Sequence, residues 1–327
     1  MTARVRWSLP LCLLLAGPLA AQDRGPPDPA AARELPAPVI PAPVAGQRYL
    51  RVMTIGDWGM STPDQKAVAK AMAERAAREP IDLVLTLGDN FYPMGVKSVD
   101  DPLWQRAFEK VYDQPSLQVP WWVTLGNHDH LGSIEAQLEY SNKSSRWKLP
   151  ARYYTTRFEL EPGTTVQLFA LDTDTIVGRS KGADSDADQL RWLEGELGRS
   201  TARWKVVAGH HPIYSRATHG NDEPLRQVLE PVLVKGKADL YLAGHDHALQ
   251  LFKPIQGVHH LVSGGGAGAL GAYKVEWTED MLYGATRGGV ACLRFGKDEC
   301  LIEFVRLDAR TQFAHVILKP GATLGPY

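Results

Sequence analysis

The sequence has few cysteines and almost no excess of charge. Only three of its 327 residues are cysteines, Cys12, Cys292 and Cys300, which is too few for a disulfide-rich scaffold. The formal net charge is -1 at pH 7. A protein that binds nucleic acid needs a basic face, so no nucleic-acid partner is predicted.

Long apolar runs are also missing. The segment Leu9–Leu19 is too short to span a bilayer easily, and it follows Arg4 and Arg6. This pattern is typical of a secretory signal peptide, predicted here over residues 1–21 with cleavage near Ala20 or Ala21. An uncleaved membrane anchor is the alternative. After cleavage we expect an exported protein, periplasmic or secreted, with no stable membrane association.

Residues 22–47 are rich in proline and alanine and show no apolar periodicity. Such a segment buries too little apolar surface to offset the entropy that ordering costs, so it is predicted to be a disordered linker. The rest of the chain predicts one folded domain over residues 48–320, followed by a tail at residues 321–327. No internal repeat and no second domain are apparent.

Helical and strand patterns alternate along the predicted domain. Thr62–Glu79 carries Val68 and Met72 at helical spacing, with Thr62 as N-cap and Gln65 completing a capping box. These patterns predict an α/β fold with two layers of sheet and helices outside them. Further helices are predicted at Asp101–Val111, Asp188–Leu197 and Pro224–Val234, and buried strands at Tyr49–Thr54, Ile81–Leu87, Thr165–Leu171 and Asp239–Ala243.

The C-terminal segment Gly289–Leu318 alternates apolar and polar residues, which is typical of antiparallel strands. A hairpin turn is predicted at Phe295–Asp298, between Cys292 and Cys300. Paired strands would place the two thiols opposite each other, where they could form a disulfide after export. Two reduced cysteines in the core are the alternative.

Five short apolar segments each end in a cluster of residues that can bind metal. A buried strand that ends in glycine and then in Asp, Asn or His places a ligand at the edge of a sheet, where α/β folds carry their sites. One such residue alone is most simply a turn, cap or core residue, but five together predict one polynuclear metal centre. The clusters are Asp57-Trp58-Gly59, Gly88-Asp89-Asn90-Phe91-Tyr92, Gly126-Asn127-His128-Asp129, Val207-Ala208-Gly209-His210 and Gly244-His245-Asp246-His247.

The donor atoms fall into two chemical sets. Asp57, Asp89 and Tyr92 offer anionic oxygens, which favour a hard trivalent ion such as Fe(III). Two metal ions close together repel each other, so a carboxylate is expected to lie between them. The amide and imidazole donors, which suit a divalent ion such as Zn, Mn or Fe(II), are Asn127, His210, His245 and His247.

The five clusters and their order resemble those of the purple acid phosphatases, a family of metallophosphoesterases, and within it the small animal-type tartrate-resistant enzymes. Arg146-Trp147 and His219-Gly220 extend the resemblance, which covers about Tyr49–Leu318. It implies a four-layer αββα sandwich with mixed sheets and helices outside. It also implies an Fe(III) ion bound by Asp57, Tyr92 and His247, a divalent ion (Fe, Zn or Mn) bound by Asn127, His210 and His245, and a bridging Asp89.

The same resemblance implies an acid phosphatase that hydrolyses phosphate monoesters of small substrates. A metal-bound hydroxide would attack phosphorus in line, His128 and His219 would donate protons and contact the phosphoryl group, and Asn127 would also contact substrate. A phosphodiesterase or nucleotide phosphatase of the same superfamily is the alternative, disfavoured by Tyr92 and His219. A non-catalytic secreted binder of metal or phosphate is disfavoured because no ligand is missing.

Residues beside the clusters have simpler interpretations. Gly264–Gly268 lacks the Lys-Ser/Thr of a P-loop, so it is predicted to let the backbone approach the metal site closely. Asp129 and Asp246 are predicted to fix loop geometry rather than to bind metal. The remaining histidines, predicted to support the ligands or the fold, are His130, His211, His259, His260 and His315.

Overall fold

The computed structural model describes residues 38–179, 186–267 and 274–323. The predicted signal peptide, most of the predicted linker and the end of the tail lie outside these ranges. Residues 38–49 carry no helix or strand, and the Pro41 carbonyl accepts a hydrogen bond of 2.5 Å from Arg294. Within the described ranges, no helix has the length and apolar character needed to cross a membrane.

The described residues contain five α-helices and fourteen strands. The helices are α1 (Pro63–Arg78), α2 (Ile134–Tyr140), α3 (Thr173–Ile176), α4 (Asp186–Arg199) and α5 (Glu223–Gly236). The strands are β1 (Leu50–Ile55), β2 (Leu83–Thr86), β3 (Trp121–Trp122), β4 (Trp147–Lys148), β5 (Tyr154–Glu161), β6 (Thr164–Ala170), β7 (Trp204–Ala208), β8 (Leu240–Ala243), β9 (Leu249–Phe252), β10 (His259–Ser263), β11 (Met281–Ala285), β12 (Gly289–Phe295), β13 (Glu299–Arg306) and β14 (Thr311–Leu318).

The strands form two mixed sheets of seven strands each. The first sheet has the order β14-β13-β12-β1-β2-β3-β4, and the second has the order β11-β9-β10-β8-β7-β6-β5. Strands β1 and β2 are parallel and joined through α1, which confirms the predicted strand–helix–strand unit. In the second sheet β6, β7, β8 and β10 run parallel, so their carboxyl ends lie at one edge.

Three apolar layers hold the elements together. Met53 of β1 packs in one buried cluster with Val68 of α1, whereas Val52, on the opposite face of the strand, lies in the cluster between the two sheets. Behind the second sheet, Val207 of β7 packs with Leu229 of α5. The order helix, sheet, sheet, helix confirms the predicted four-layer sandwich.

Helix α1 begins where its capping residues predict. The Thr62 hydroxyl accepts a hydrogen bond of 3.2 Å from the Gln65 amide, and the Gln65 carboxamide oxygen accepts one of 2.7 Å from the Ser61 amide. The two residues therefore form a capping box, but the Gln65 side chain bonds to the amide of Ser61 and not to that of the N-cap residue Thr62. The helix ends at Arg78, two residues before Pro80.

The predicted helix Asp101–Val111 is only a single π-helical turn at Trp104–Glu109. The Lys110 amide bonds to the Gln105 carbonyl, five residues earlier, at 3.1 Å. In a regular helix the Ala107 carbonyl would accept from the Val111 amide. Here it accepts a hydrogen bond of 2.6 Å from the side chain of Gln65. A side chain from α1 thus occupies the carbonyl that a regular helix would need in order to continue to Val111, and the turn ends at Glu109.

The predicted pairing of Cys292 with Cys300 is wrong. Both thiols are free and buried. The hairpin of β12 and β13 forms, but Phe295 lies opposite Cys300 and Cys292 lies opposite Glu303. Cys292 is three residues from the position opposite Cys300, and successive side chains alternate between faces, so the two thiols point to opposite sides of the sheet. They belong to different apolar layers.

Candidate metal centre

The two sheets bring the five sequence clusters together at one edge. Asp57 follows β1, Asp89 follows β2, His210 follows β7, and His245 follows β8. Asn127 follows the short strand β3 after four residues of loop. All seven predicted ligands converge in this cluster, at the edge of the sheets where the strand-end pattern predicts them.

Tyr92 is the centre of the first group of donors. Its phenol oxygen donates to Asp89 Oδ2 at 2.8 Å and to Asp57 Oδ1 at 3.2 Å, and it lies 3.3 Å from His247 Nε2. His247 Nε2 lies 3.5 Å from Asp57 Oδ1. Two carboxylates, a phenol and an imidazole therefore converge on one point.

His210 is the centre of the second group. Its Nε2 atom lies 3.0 Å from Asn127 Oδ1, 3.3 Å from His245 Nδ1 and 3.5 Å from Asp89 Oδ1. Its Nδ1 atom donates to the Leu87 carbonyl at 2.8 Å, which turns Nε2 toward the cluster. Asp89 is shared, because one oxygen faces the first group and the other faces the second.

Positive charge stabilises the ionised carboxylate of Asp89 at the centre. Burial raises the pKa of Asp57 well above its usual range, and burial followed by the charge of Asp57 raises the pKa of Tyr92. Burial would also raise the pKa of Asp89, but the charge of His210 outweighs it and lowers that pKa. Burial lowers the pKa of His210, yet Asp89 outweighs it and raises that pKa to about 10. The imidazolium of His210 thus supplies positive charge among the carboxylates, as a metal ion would.

The other two histidines have the neutral form that binds metal. Burial lowers the pKa of His245 to about 2 and that of His247 to about 4. Neutral imidazoles, carboxylates, a phenol and an amide form a mixed oxygen and nitrogen donor set for two ions. Asp57, Asp89 and His210 each offer an atom within 4.8 Å of the others. The residues present therefore fit a binuclear metal site.

Three of these residues hold a backbone conformation that side chains seldom adopt. The φ angles of Asp57, Asp89 and His245 are 59°, 50° and 67°, in the left-handed region. Such residues persist only where surrounding contacts hold them, and they concentrate at functional sites. The amide of His245 donates to Asp57 Oδ2 at 2.8 Å, which is one such contact.

The glycines around the centre allow the backbone to come close. A Cβ atom on Gly264 would lie 2.1 Å from the Asp246 carbonyl and 2.7 Å from Asp57 Oδ2. A Cβ atom on Gly126 would lie 2.3 Å from Asp89 Oδ1. The close approach to the centre predicted for the glycine-rich turn is confirmed at Gly264, and Gly268 lies outside the described residues.

The two aspartates predicted to fix loops do so. Asp129 accepts hydrogen bonds from the amides of Gly126 and Asn90 at 2.8 and 3.1 Å. Asp246 accepts from the Ser215 hydroxyl and, at 2.9 Å, from the amide of His219. Asp246 thereby joins the loop that carries His245 and His247 to the loop that carries His219.

A cleft of about 610 Å³ opens onto the centre and is lined by five of the predicted ligands and by His128 and His219. His128 Nδ1 donates to the Pro93 carbonyl at 2.6 Å, so Nε2 faces the centre, 4.0 Å from Asp89 Oδ2. The ring of His219 stacks on that of His245 at 4.3 Å between centroids. Both predicted proton donors therefore border the cleft.

Two supporting residues were not singled out from the sequence. Thr173 Oγ1 accepts hydrogen bonds of 3.1 Å from the amides of His210 and His211. Asp172 accepts from Arg152 Nε at 3.0 Å and lies 2.8 Å from His130 Nε2. Both residues follow the end of β6, as the ligand clusters follow other strands. The same strand-end pattern could therefore have identified them as residues near the site.

The comparisons with known proteins agree with this geometry. A family model described as calcineurin-like phosphoesterase matches residues 50–249. The chain is 39% identical over 236 residues to the tartrate-resistant acid phosphatase type 5 of Sus scrofa, which covers 66% of this chain and 69% of that protein. It is 35% identical over 271 residues to purple acid phosphatase 4 of Arabidopsis thaliana, with 77% and 78% covered.

Two solved structures share the fold. GAP50, titled the anchor in the inner membrane complex of Plasmodium, superposes with a TM-score of 0.76 at 23% identity over 84% of this chain and 90% of that chain. The purple acid phosphatase PPD1 from yellow lupin superposes with a TM-score of 0.63 at 18% identity over 89% of this chain and 58% of that chain. At these identities the structures speak for the fold alone. On its family match, its identity to these relatives and its αββα sandwich, the chain belongs to the calcineurin-like phosphoesterase family and, within it, to the purple acid phosphatases.

Proposed function

We propose that this protein is an acid phosphatase that hydrolyses phosphate monoesters of small substrates with a pair of metal ions. The observation that carries the proposal is the division of seven donors into two groups that share Asp89. Family membership supports the same reaction, because relatives with 35% to 39% identity are named acid phosphatases.

The donor chemistry supports two different ions. Asp57, Tyr92 and His247 would hold Fe(III), because a phenolate beside carboxylates favours a hard trivalent ion. Asn127, His210 and His245 would hold a divalent ion, namely Fe, Zn or Mn, and Asp89 would bridge both ions. When bound, the metal pair would neutralise phosphoryl charge and activate the attacking water.

The residues around the cleft would orient the substrate and move its protons. His128 is held through Nδ1 by the Pro93 carbonyl, so Nε2 is the atom that would meet the phosphoryl group or the leaving oxygen. His219 borders the same cleft on the other loop. The Asn127 side chain, beside His210 Nε2, would contact a phosphoryl oxygen as well as a metal.

Export is a further part of the proposal. It is supported by the composition of residues 1–21, in which a basic start precedes a short apolar segment. The proposed location is the periplasm or the exterior of the cell.

A visible absorption spectrum of the purified protein tests the metal assignment. A broad purple band that disappears in Tyr92→Phe and persists in Tyr112→Phe is expected, since Tyr112 is a buried phenol whose hydroxyl bonds with Gln65 of α1. A shift of the band on mild reduction would identify iron as the second metal, and an unchanged band would identify Zn or Mn. Metal-loaded protein with no band would overturn the assignment of Fe(III) to Tyr92.

The substrate class is tested by turnover. We expect hydrolysis of phenyl phosphate to exceed that of bis(p-nitrophenyl) phosphate by at least tenfold in kcat/KM at mildly acid pH. A preference for the diester would favour the phosphodiesterase alternative. No turnover of either compound by metal-loaded protein would favour the non-catalytic binder.

A further inference from the structure

A second depression lies beside the metal cleft. Its volume is about 520 Å³, and Tyr92 and Pro93 line both it and the cleft. The remainder of its wall comes from the segment after Tyr92 and from the π-helical turn Trp104–Glu109. A substrate that binds at the metals could therefore extend into this depression past Pro93.

The wall of the depression carries two cations without acidic partners. Lys97 and Arg106 both line it, and neither forms an ion pair with a carboxylate of the described residues. Both side chains are exposed. They are thus available to a ligand of opposite charge.

The acidic residues of the same wall already have other partners. Asp100 forms an ion pair with Lys143. Asp101 accepts hydrogen bonds of 2.9 Å from the amides of Lys97 and Leu103, so its carboxylate fixes the turn. Asp101 keeps its negative charge, so once Asp100 is paired with Lys143 the wall carries two cations against one carboxylate, a net charge of one positive unit.

The path between the two sites is apolar and well anchored. Pro93 and Met94 line the depression, and Met94 is 57% exposed. The Gly95 amide donates to the Phe91 carbonyl at 3.0 Å, and the Ser133 amide donates to the Val96 carbonyl at 2.7 Å. The bond from Ser133 holds the segment against the loop that carries His128, so the distance from the proposed metal site to the two cations is set by the fold.

We propose that this depression is a binding subsite for a second anionic group on the substrate. The substrate class is a small phosphate monoester whose leaving group has an apolar link that ends in a second phosphate or carboxylate. The link would lie on Pro93 and Met94, and the anion would meet Lys97 and Arg106. This inference rests on the proposed phosphatase function, because one phosphate must sit at the metals.

Hexyl phosphate and hexane-1,6-diol bisphosphate test the proposal, since they differ only in the second phosphate. For the wild-type holoenzyme we expect kcat/KM to be about tenfold higher for the bisphosphate, the scale of two exposed charge contacts. In the double variant Lys97→Gln/Arg106→Gln, the ratio of the two kcat/KM values should fall to about two. That factor remains because the bisphosphate offers two equivalent ester groups and hexyl phosphate offers one. Activity on hexyl phosphate should stay within about twofold of the wild type. The preference should also weaken at high salt.

The matched control is Lys110→Gln, an exposed cation on the same segment that does not line the depression. It should keep the full preference. An undiminished preference in the double variant, or no preference in the wild type, would overturn the subsite while leaving the phosphatase function intact. Failure of the metal-loaded wild type to hydrolyse hexyl phosphate would instead count against the proposed function.

Discussion

At the scale of single residues, Asp89 links the two groups of donors. Its Oδ2 atom lies 2.8 Å from the phenol oxygen of Tyr92, and its Oδ1 atom lies 3.5 Å from His210 Nε2. It also accepts a hydrogen bond of 2.9 Å from the amide of His128. One carboxylate therefore serves both proposed metals and orients the loop of a proposed proton donor.

Replacing Asp89 with Asn keeps the shape of the side chain but removes the charge that offsets two cations. We expect Asp89→Asn to lose both metals and to lower turnover by about 10³-fold or more. Metal analysis of the purified protein by mass spectrometry, together with kcat, measures this.

The comparison variant is Asp57→Asn, because Asp57 Oδ1 faces Tyr92 and His247 of the first group, whereas Oδ2 accepts from the backbone amide of His245. It should lose the ion of that group and keep the other. If Asp89→Asn retained both metals, Asp89 would not be the bridge.

At the scale of elements, the loop between β7 and α5 is held on two sides. Asp246 anchors it to the metal-bearing loop through Ser215 and the amide of His219. On the other side, Arg216 donates to Asn221 Oδ1 at 2.8 Å and to Asp280 Oδ2 at 2.6 Å. Arg216 touches no proposed ligand, so its effect on the reaction would act through the position of His219.

A double-mutant cycle tests this coupling. We expect Arg216→Ala to lower kcat about tenfold in the wild type, because a displaced His219 no longer meets the phosphoryl group. In a His219→Ala background the same change should alter kcat by less than about twofold. Metal content should be unchanged in all three variants.

Arg191→Ala is the control for loss of a surface cation, since Arg191 forms an ion pair with Asp188 of the same helix, α4. It should have no effect on kcat. Additive effects of Arg216→Ala and His219→Ala would show that Arg216 acts by another route.

At the scale of the whole molecule, buried histidines make stability depend on pH. His260 of β10 is 2% exposed, and neither ring nitrogen has a hydrogen-bond partner among the described residues. Burial lowers the pKa of His260 from 6.5 to about 3. The unfolded chain therefore binds more protons than the folded one between these pH values, so stability is full above pH 6.5 and falls as the pH drops toward 3.

His260→Phe should remove this part of the acid sensitivity. Each unit of pKa difference corresponds to about 1.4 kcal/mol, so His260 should cost about 2 kcal/mol at pH 5 relative to pH 8. Urea unfolding at both pH values measures the difference. The variant should lose less stability on acidification than the wild type by about that amount, and equal losses would mean that His260 is not the group responsible.

Structural features that depend on neighbouring residues follow from the sequence, whereas those that depend on distant residues do not. Thr62 and Gln65 cap α1 as predicted, because a cap involves only neighbouring residues. The predicted helix at Asp101–Val111 is shortened to a π turn, and the Ala107 carbonyl, which would accept from Val111 in a regular helix, accepts instead from Gln65, about forty residues earlier. A periodicity in sequence cannot report such a distant partner.

The sequence by itself determined the strand-end ligands, the α/β class and the resemblance to purple acid phosphatases. It could do so because strand alternation, caps and motif spacing are properties of short segments. Only the tertiary structure decided that Cys292 and Cys300 lie on opposite faces of the sheet and that Lys97 and Arg106 border one depression. These facts depend on strand register and on the packing of segments that are distant in sequence. Both are set by the free energy of the whole fold rather than by any short segment.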